Sequence, residues 1–236
     1  KYDVPVPEYF IINSPEDAAK AAEKIGFPVV MKIVSPQIIH KSDAGGVIVN
    51  VKTAEDAKSA YTKILTNVKA CKPQAEIEGV IVESMAKPGV ELIIGGKIDP
   101  TFGKIVTFGI GGTMVELVKD VTMRVLPVNE EDVRSMVREI KSYKLIAGYR
   151  EEKPKDEETL VKSILNVCRA FEENEDLIEF DINPLRLYEK GGVAVDTVFI
   201  FSDDEKKNDT EIPQVDISIF DPQAIAVIGA SETPGK

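Results

Sequence analysis

Apolar residues in the first part of the chain switch between helical spacing and short β-branched runs. Residues 13–16 (NSPE) combine a capping residue, a proline and an acid, and they predict a helix that ends near Gly26. The run at 28–34 (PVVMKIV) predicts a buried strand, and 47–51 (VIVNV) predicts a second strand behind two glycines. Helical spacing returns over 54–68.

Strand patterns dominate the middle of the chain, and two helical patterns follow them. The predicted elements are three strands, two helices and two closing strands, at 79–85, 90–98, 103–110, 130–140, 156–173, 177–184 and 192–199. Mixed elements in two separable clusters indicate an α+β protein with lobes at roughly 1–100 and 101–201. We expect a ligand in the cleft between the lobes.

The pattern changes after residue 201. Residues 202–221 begin with a charged and polar run, which predicts a solvated linker. Residues 222–236 contain AIAVIGAS, an apolar strand that runs into a glycine turn. This is how a Rossmann-type domain begins, so we expect a second, truncated domain here.

Composition narrows the class of protein. The 236 residues carry a net charge of −11, so the chain is a poor general binder of nucleic acid. Cys71 and Cys168 lie far apart outside any paired motif, which argues for a reducing compartment and against a cysteine metal site. No apolar run is long enough to span a membrane and no signal peptide is visible. These observations predict a cytoplasmic protein.

The single histidine, His40, lies in a loop with several chemically useful neighbours. A neutral imidazole can act as a nucleophile, Lys41 could offset phosphate charge, and Asp43 could orient the ring. A plain surface histidine is the alternative interpretation. Lys32 interrupts an otherwise apolar strand, so it is either a snorkelling edge residue or a cation that reaches a phosphate.

Several acids and glycines fall at strand ends. Glu83 and Glu91 could accept hydrogen bonds from sugar hydroxyls, although exposed strand-end acids are common. Gly111 and Gly112 end a strand in a loop that resembles a phosphate cradle, which is a weak signal alone.

Oxygen ligands for magnesium are available near the end of the chain's strand pattern. Asn183 and Asp196 end two adjacent predicted strands, and magnesium commonly takes one or two protein oxygens. We expect only one of Glu179 and Asp181 to share a face of the strand with Asn183.

Four segments together resemble the ATP-grasp portion of ADP-forming acetyl-CoA synthetases and related NDP-forming acyl-CoA ligases. The string HKSDAGGV is the most specific of them, and the match covers residues from about 5 to 200. The segments are PVVMKI at 28–33, HKSDAGGV at 40–47, FGIGGTMVEL at 108–117 and EFDINPL at 179–185.

The resemblance implies an ATP-grasp fold and assigns roles to the candidate residues. It places ADP or ATP in the cleft with Mg²⁺, and it makes His40 the phosphoryl carrier. The implied nucleotide contacts are Lys32 on the phosphates, Glu83 with the backbone through Ser84 and Met85 on adenine, Glu91 on ribose, and the Gly111–Gly112 loop. Asn183 and Asp196 would hold the metal. Glu116, Asp120 and Arg124 receive no role.

The implied reaction is acyl-CoA + ADP + phosphate ⇌ acid + CoA + ATP, through a phosphohistidine relay. It requires a CoA-binding domain or subunit with a second histidine, in a hetero- or homo-oligomer. A succinate- or malate-type CoA ligase would share this chemistry. The other interpretations are a regulatory nucleotide-binding region of a protein acetyltransferase and a nucleotide-binding module without phosphoryl chemistry.

Overall fold

Two antiparallel sheets, each covered by helices on one face, make up the part of the chain that the computed structural model describes, residues 2–112 and 120–202. The first sheet has the strand order β1-β4-β2-β3, and helices α1 and α2 pack on it. Its elements are β1 (Tyr9–Ile12), α1 (Pro15–Ile25), β2 (Val29–Val34), β3 (Val47–Val51), α2 (Ala54–Cys71) and β4 (Gly79–Ser84).

The second sheet and its helices follow along the chain. The elements are β5 (Val90–Asp99), β6 (Gly103–Ile110), β7 (Val121–Val125), α3 (Glu130–Glu139), α4 (Lys144–Ala147), α5 (Glu157–Glu173), β8 (Leu177–Leu187), β9 (Gly192–Ala194) and β10 (Thr197–Phe201), with a short 3₁₀ helix at Lys141–Tyr143 directly before α4. The strand order is β10-β8-β5-β6-β7, and β9 also pairs with β8.

Local sequence explains where the helices begin. The Ser14 hydroxyl accepts the Asp17 N–H at 3.1 Å, and Pro15 occupies the first turn of α1, as the sequence predicted. Asp156 caps α5 by accepting the Thr159 N–H at 3.0 Å. The same carboxylate accepts the Gly191 N–H at 2.7 Å, so it fixes the start of α5 to the turn between β8 and β9.

Each sheet packs its own core against its helices. In the first sheet, Met31 and Ile33 are fully buried with the alanine-rich face of α1. In the second sheet, Phe180 packs edge-on to Phe171 of α5, with ring centroids 5.3 Å apart. Gly96 lies against the Phe180 ring, where a Cβ would overlap ring atoms, so only glycine fits there. Both cores leave the opposite face of each sheet open for a ligand site.

The first residues and the last described residue meet at the turn that follows α5. The Asn174 side-chain amide donates to the Tyr2 hydroxyl at 3.0 Å, and the Ser202 N–H donates to the Asp176 carbonyl at 2.7 Å. Between these ends, the Pro5 carbonyl accepts the Ala194 N–H at 2.8 Å. Residues 2–5 therefore lie along the second sheet, and Glu8 already accepts the Ser84 N–H of the first sheet at 2.9 Å.

The structure differs from the predicted organisation in several places. The strand β5 pairs within the second sheet, so the change of sheet falls between Ser84 and Val90 rather than near residue 100. Strands β1 and β7 were not predicted, and the closing strand expected at 192–199 is two strands, β9 and β10. The expected linker and second domain lie outside the described residues, apart from Ser202.

Candidate functional site

The open face of the first sheet borders a cavity of about 550 Å³. Lys32 of β2 and Glu83 of β4 project into it, and Asp196 closes it from the segment between β9 and β10. The rest of the wall is largely apolar, including Tyr9 and Phe199. A cavity of this size, with an apolar wall and a few charged groups, suits a small organic ligand.

Lys32 and Glu83 form a buried ion pair in this cavity. They are only 7% and 5% exposed, and the Lys32 ammonium contacts a Glu83 carboxylate oxygen. Lys32 Nζ also donates to the Val195 carbonyl at 2.6 Å, which joins the first sheet to the second. Burial raises the pKa of Glu83 above its usual value, and Lys32 only partly offsets that effect.

A second cavity of about 750 Å³ is lined by the histidine loop and by the open face of the second sheet. The loop contributes His40, Lys41 and Asp43, and the sheet contributes Asn183 and Asp196. His40 itself is exposed. The structure thus places the only histidine of the chain beside the residues that the sequence indicated as magnesium ligands.

Asp196 lies at the junction of the two cavities, in the two-residue gap between β9 and β10. Its Oδ1 accepts the Lys41 ammonium at 2.9 Å and the Thr197 N–H at 3.1 Å. Its backbone carbonyl accepts the Asn183 N–H at 3.0 Å. This bond keeps the two predicted magnesium ligands adjacent.

The glycine loop after β6 is fixed to the same region. The Gly112 N–H donates to Asn183 Oδ1 at 2.8 Å, and the Gly111 N–H donates to the Glu91 carbonyl at 2.9 Å. Gly112 has a φ of 68°, and a Cβ there would overlap the Glu91 carboxylate. Arg186 donates to that carboxylate from Nε and Nη2 at 3.0 and 2.8 Å. Sequence reasoning missed Arg186, whose position opposite Glu91 across β5 and β8 depends on the register of the sheet.

Our expectation about Glu179 and Asp181 is wrong. Both line the second cavity with Asn183, because residues two apart on a strand share a face. Burial raises the pKa of Asp181 above its usual value, and the charges of Asp196 and Glu179 raise it further. Three carboxylates therefore approach one another where Lys41 supplies the compensating charge to Asp196.

The donor atoms at Asn183 and Asp196 fit magnesium. Asn183 Oδ1 keeps a second lone pair beyond its bond from Gly112, and the Asp196 side chain is 40% exposed. Within 2–112 and 120–202, no three His, Cys, Asp or Glu side chains converge on one metal position. A cation here would complete its shell with water and phosphate oxygens, which is the usual habit of Mg²⁺.

Other candidate residues lie elsewhere. Ser84 ends β4 and Met85 follows it, and neither residue lines a cavity. The same holds for Glu91, Gly111 and Gly112. Asp120, without a role so far, accepts the Lys141 and Ser142 N–H groups at 2.9 and 2.8 Å, and so caps the 3₁₀ helix. Arg124 donates to Glu139 at 2.7 Å on the outer side of the second sheet's edge. Glu116 lies outside the described residues.

None of the described helices is long and apolar enough to cross a membrane.

Comparison with known proteins connects these features to a family. A family model described as an ATP-grasp domain matches residues 1–200. The β subunit of ADP-forming acetate–CoA ligase I from Pyrococcus furiosus is 48% identical, over 84% of this chain and 86% of that subunit. ADP-forming acetate–CoA ligase II from Archaeoglobus fulgidus is 39% identical, over all of this chain and 33% of that protein.

Solved structures agree with this. Acetyl-coenzyme A synthetase 1 of Ca. Korarchaeum cryptofilum, in complex with coenzyme A and Ca-AMPCP, has a TM-score of 0.81 and 48% identity, covering 85% of this chain and 87% of that one. The same enzyme with Mg-AMPPCP has a TM-score of 0.73 at 43% identity, over 85% and 86% of the two chains. Such similarity along nearly the whole described length means that this chain belongs to the ATP-grasp family, in the group that contains the β subunits of ADP-forming acetate–CoA ligases.

Proposed function

We propose that this chain is the nucleotide-binding and phosphoryl-transfer part of an ADP-forming acyl-CoA synthetase. The complete reaction is acyl-CoA + ADP + phosphate ⇌ carboxylic acid + CoA + ATP. The observation that carries the proposal is the second cavity, where His40, Asn183 and Asp196 line one space of about 750 Å³. Similarity to ADP-forming acetate–CoA ligases supports this class of reaction.

His40 would carry the phosphoryl group. Its imidazole nitrogen attacks phosphorus of a phosphohistidine on a partner domain, a new N–P bond forms, and the old N–P bond breaks. A terminal oxygen of ADP then attacks phosphorus, and the imidazole leaves as ATP forms. A covalent carrier divides one transfer over a long distance into two shorter ones. Exposure of His40 on a loop is compatible with this movement.

The nucleotide phosphates would bind in the two cavities, and the base and ribose would extend beyond the cavity walls. Lys32 supplies a fixed ammonium that would interact with phosphates, and Glu83 with the backbone of Ser84 and Met85 would meet the adenine edge. Glu91 would accept a ribose hydroxyl while Arg186 holds its carboxylate in place. The Gly111–Gly112 turn lets its backbone approach the ligand closely.

Magnesium is the proposed metal. Asn183 and Asp196 would hold it, and the bound cation supplies neutralisation of charge that spreads over the transferred group. In a structure of the Korarchaeum relative with Mg-AMPPCP, the phosphohistidine segment points towards the nucleotide-binding site. That observation concerns the relative, and it supports the same arrangement here.

The proposed partner is a CoA-binding domain or subunit with a second histidine. The relay needs a histidine that receives phosphate at the thioester site, and His40 is the only histidine in the sequence. A succinate- or malate-type CoA ligase would use the same chemistry, and the acid would be chosen in the partner. A regulatory region that had lost catalysis is less well supported, because Lys32, His40, Asn183 and Asp196 are all present.

The proposal is tested with ATP labelled at the γ-phosphate. In the presence of Mg²⁺, the chain should acquire an acid-labile, base-stable label, which is the signature of phosphohistidine. His40→Asn should remove the label but keep nucleotide binding in calorimetry, because the exposed His40 ring makes no hydrogen bond or ion pair within the described residues. A label that survives His40→Asn would overturn the relay, and absence of nucleotide binding by the complete assembled enzyme would overturn the proposal as a whole.

A further inference from the structure

Four side-chain hydrogen bonds attach the loop between β2 and β3, residues 35–46, to its surroundings. Three of them stay within the first lobe: Asn67 Nδ2 donates to the Gly45 carbonyl at 3.1 Å, Lys72 Nζ donates to the Gln37 carbonyl at 2.8 Å, and the Glu76 N–H donates to Gln37 Oε1 at 3.0 Å. The fourth contact crosses to the second sheet, where Lys41 Nζ reaches Asp196 Oδ1 at 2.9 Å. The residue next to His40 therefore ties the loop to the far side of the cavity.

The Lys41 ammonium forms an ion pair with the Asp196 carboxylate, which is the group that would bind the metal ion. Asp196 Oδ1 accepts both Lys41 and the Thr197 N–H. Lys41 is only 19% exposed, so the ion pair is partly shielded from water and stronger than a pair on the open surface. A divalent cation bound at the same carboxylate would repel the ammonium at close range.

We propose that Lys41 is a positioning residue that competes with a divalent cation for Asp196, so that metal binding releases the His40 loop from the second sheet. The inference rests on the proposed function only in taking Asp196 as a metal ligand. The coupling is reciprocal. The Lys41 contact lowers the affinity of the site for the metal, and the bound metal weakens the attachment of the loop by the same free energy. The metal-loaded site would then leave His40 free to move between phosphoryl donor and acceptor.

The choice of variants separates competition from simple loosening of the loop. Lys41→Gln removes the tether to Asp196. Lys72→Gln removes a loop contact of the same kind at the far end of α2, away from Asp196. Lys41→Arg keeps a cation at this position, on a side chain of similar length. All four proteins are studied as the full chain without nucleotide, so that the readouts do not depend on turnover.

Two measurements are made on each protein. Calorimetry, or the electron paramagnetic resonance signal of Mn²⁺, gives the metal dissociation constant. Hydrogen exchange followed by mass spectrometry gives the protection of peptides that cover residues 35–46, with and without saturating Mg²⁺.

The expected result is a coupled change. In the wild type, Mg²⁺ increases exchange in the loop. Lys41→Gln binds metal roughly threefold to tenfold more tightly, which is the range expected for loss of one competing ion pair, and its loop exchanges fast whether or not Mg²⁺ is present. Lys72→Gln exchanges faster but keeps the wild-type metal affinity and the response to Mg²⁺. Lys41→Arg returns both readouts towards the wild type.

Three outcomes would overturn the inference. Equal metal affinity in the wild type and Lys41→Gln means that there is no competition, while the metal site itself stands. Tighter binding without any Mg²⁺ response of the wild-type loop means that Lys41 acts only as a repelling charge and tethers nothing. Failure of the wild type to bind metal at all removes the tether's competitor and the proposed magnesium site together.

Discussion

The buried pair of Lys32 and Glu83 provides a sharp test of how the first lobe is held together. Lys32→Met keeps most of the volume and the apolar stem but removes the charge. Glu83 would then remain buried with no ammonium beside it, and the Val195 carbonyl would lose its donor. Removal of one partner from a buried ion pair costs about 3–5 kcal/mol of unfolding free energy.

The pH dependence of this cost identifies its origin. Because burial already raises the pKa of Glu83, the folded state takes up a proton more readily than the unfolded chain. Stability attributable to Glu83 therefore falls as pH rises from the usual value of 4.5 through its folded pKa, and loss of Lys32 makes that fall larger. Each pH unit of acidification within this window should recover about 1.4 kcal/mol in Lys32→Met.

The assay is urea unfolding followed by far-ultraviolet circular dichroism at pH 7 and pH 5. Glu83→Gln and the double variant Lys32→Met/Glu83→Gln complete a double-mutant cycle. We expect a coupling energy of about 2–3 kcal/mol at pH 7, since the two side chains are in direct contact. A coupling below about 0.5 kcal/mol, with a pH-independent cost, would mean that water screens the pair, and the buried-pair reasoning would be refuted.

Three further changes test other parts of the structure. Gly112→Ala should weaken the binding of Mg-ADP in calorimetry much more than Gly103→Ala does. Both glycines have a positive φ, but only at Gly112 would a Cβ overlap Glu91, whereas a Cβ at Gly103 has nothing within 4 Å. Equal effects would mean that the positive φ alone matters. Asp156→Ala should lower the unfolding free energy by about 1–2 kcal/mol at pH 7, because α5 loses its cap. Hydrogen bonds lower the pKa of Asp156 in the folded protein, so this loss should shrink as the pH falls below the usual pKa of 3.8. A loss that stays constant in acid-unfolding curves would contradict this. Lys104→Met should lower the unfolding free energy by about 1–2 kcal/mol in urea titrations. Lys104 Nζ donates to the carbonyls of Phe171 and Asn174 at the end of α5, and the variant loses both hydrogen bonds. An unchanged urea midpoint would mean that these bonds do not stabilise the fold.

Local patterns in the sequence account for most of the fold but for only part of the site. The apolar run at 28–34 predicted β2, and Lys32 inside it proved to be buried and to face a cavity. Strand β7 was missed because its exposed and half-buried residues alternate at the edge of a sheet and give no strong apolar signal. β1 has only four residues, too few for a reliable period.

Contacts between distant segments were beyond the reach of sequence reasoning. Lys41 and Asp196 are 155 residues apart, and Arg186 meets Glu91 across 95 residues. Only the register of β5 and β8 and the gap between β9 and β10 bring such groups together. Asp181 was a different kind of miss: the alternation of strand side chains, correctly applied, would have placed it beside Asn183.

The meeting of both ends of the described unit at the turn after α5 bears on how the unit can be joined to other domains. Tyr2 and Ser202 attach to neighbouring residues of that turn, Asn174 and Asp176. A fusion at either end would therefore start from the same corner, and a short linker between the ends would permit circular permutation without crossing the cavities. Among relatives, the unit matches 86% of a separate subunit and 33% of a longer chain. A partner domain joined at either end would thus approach the unit from one corner.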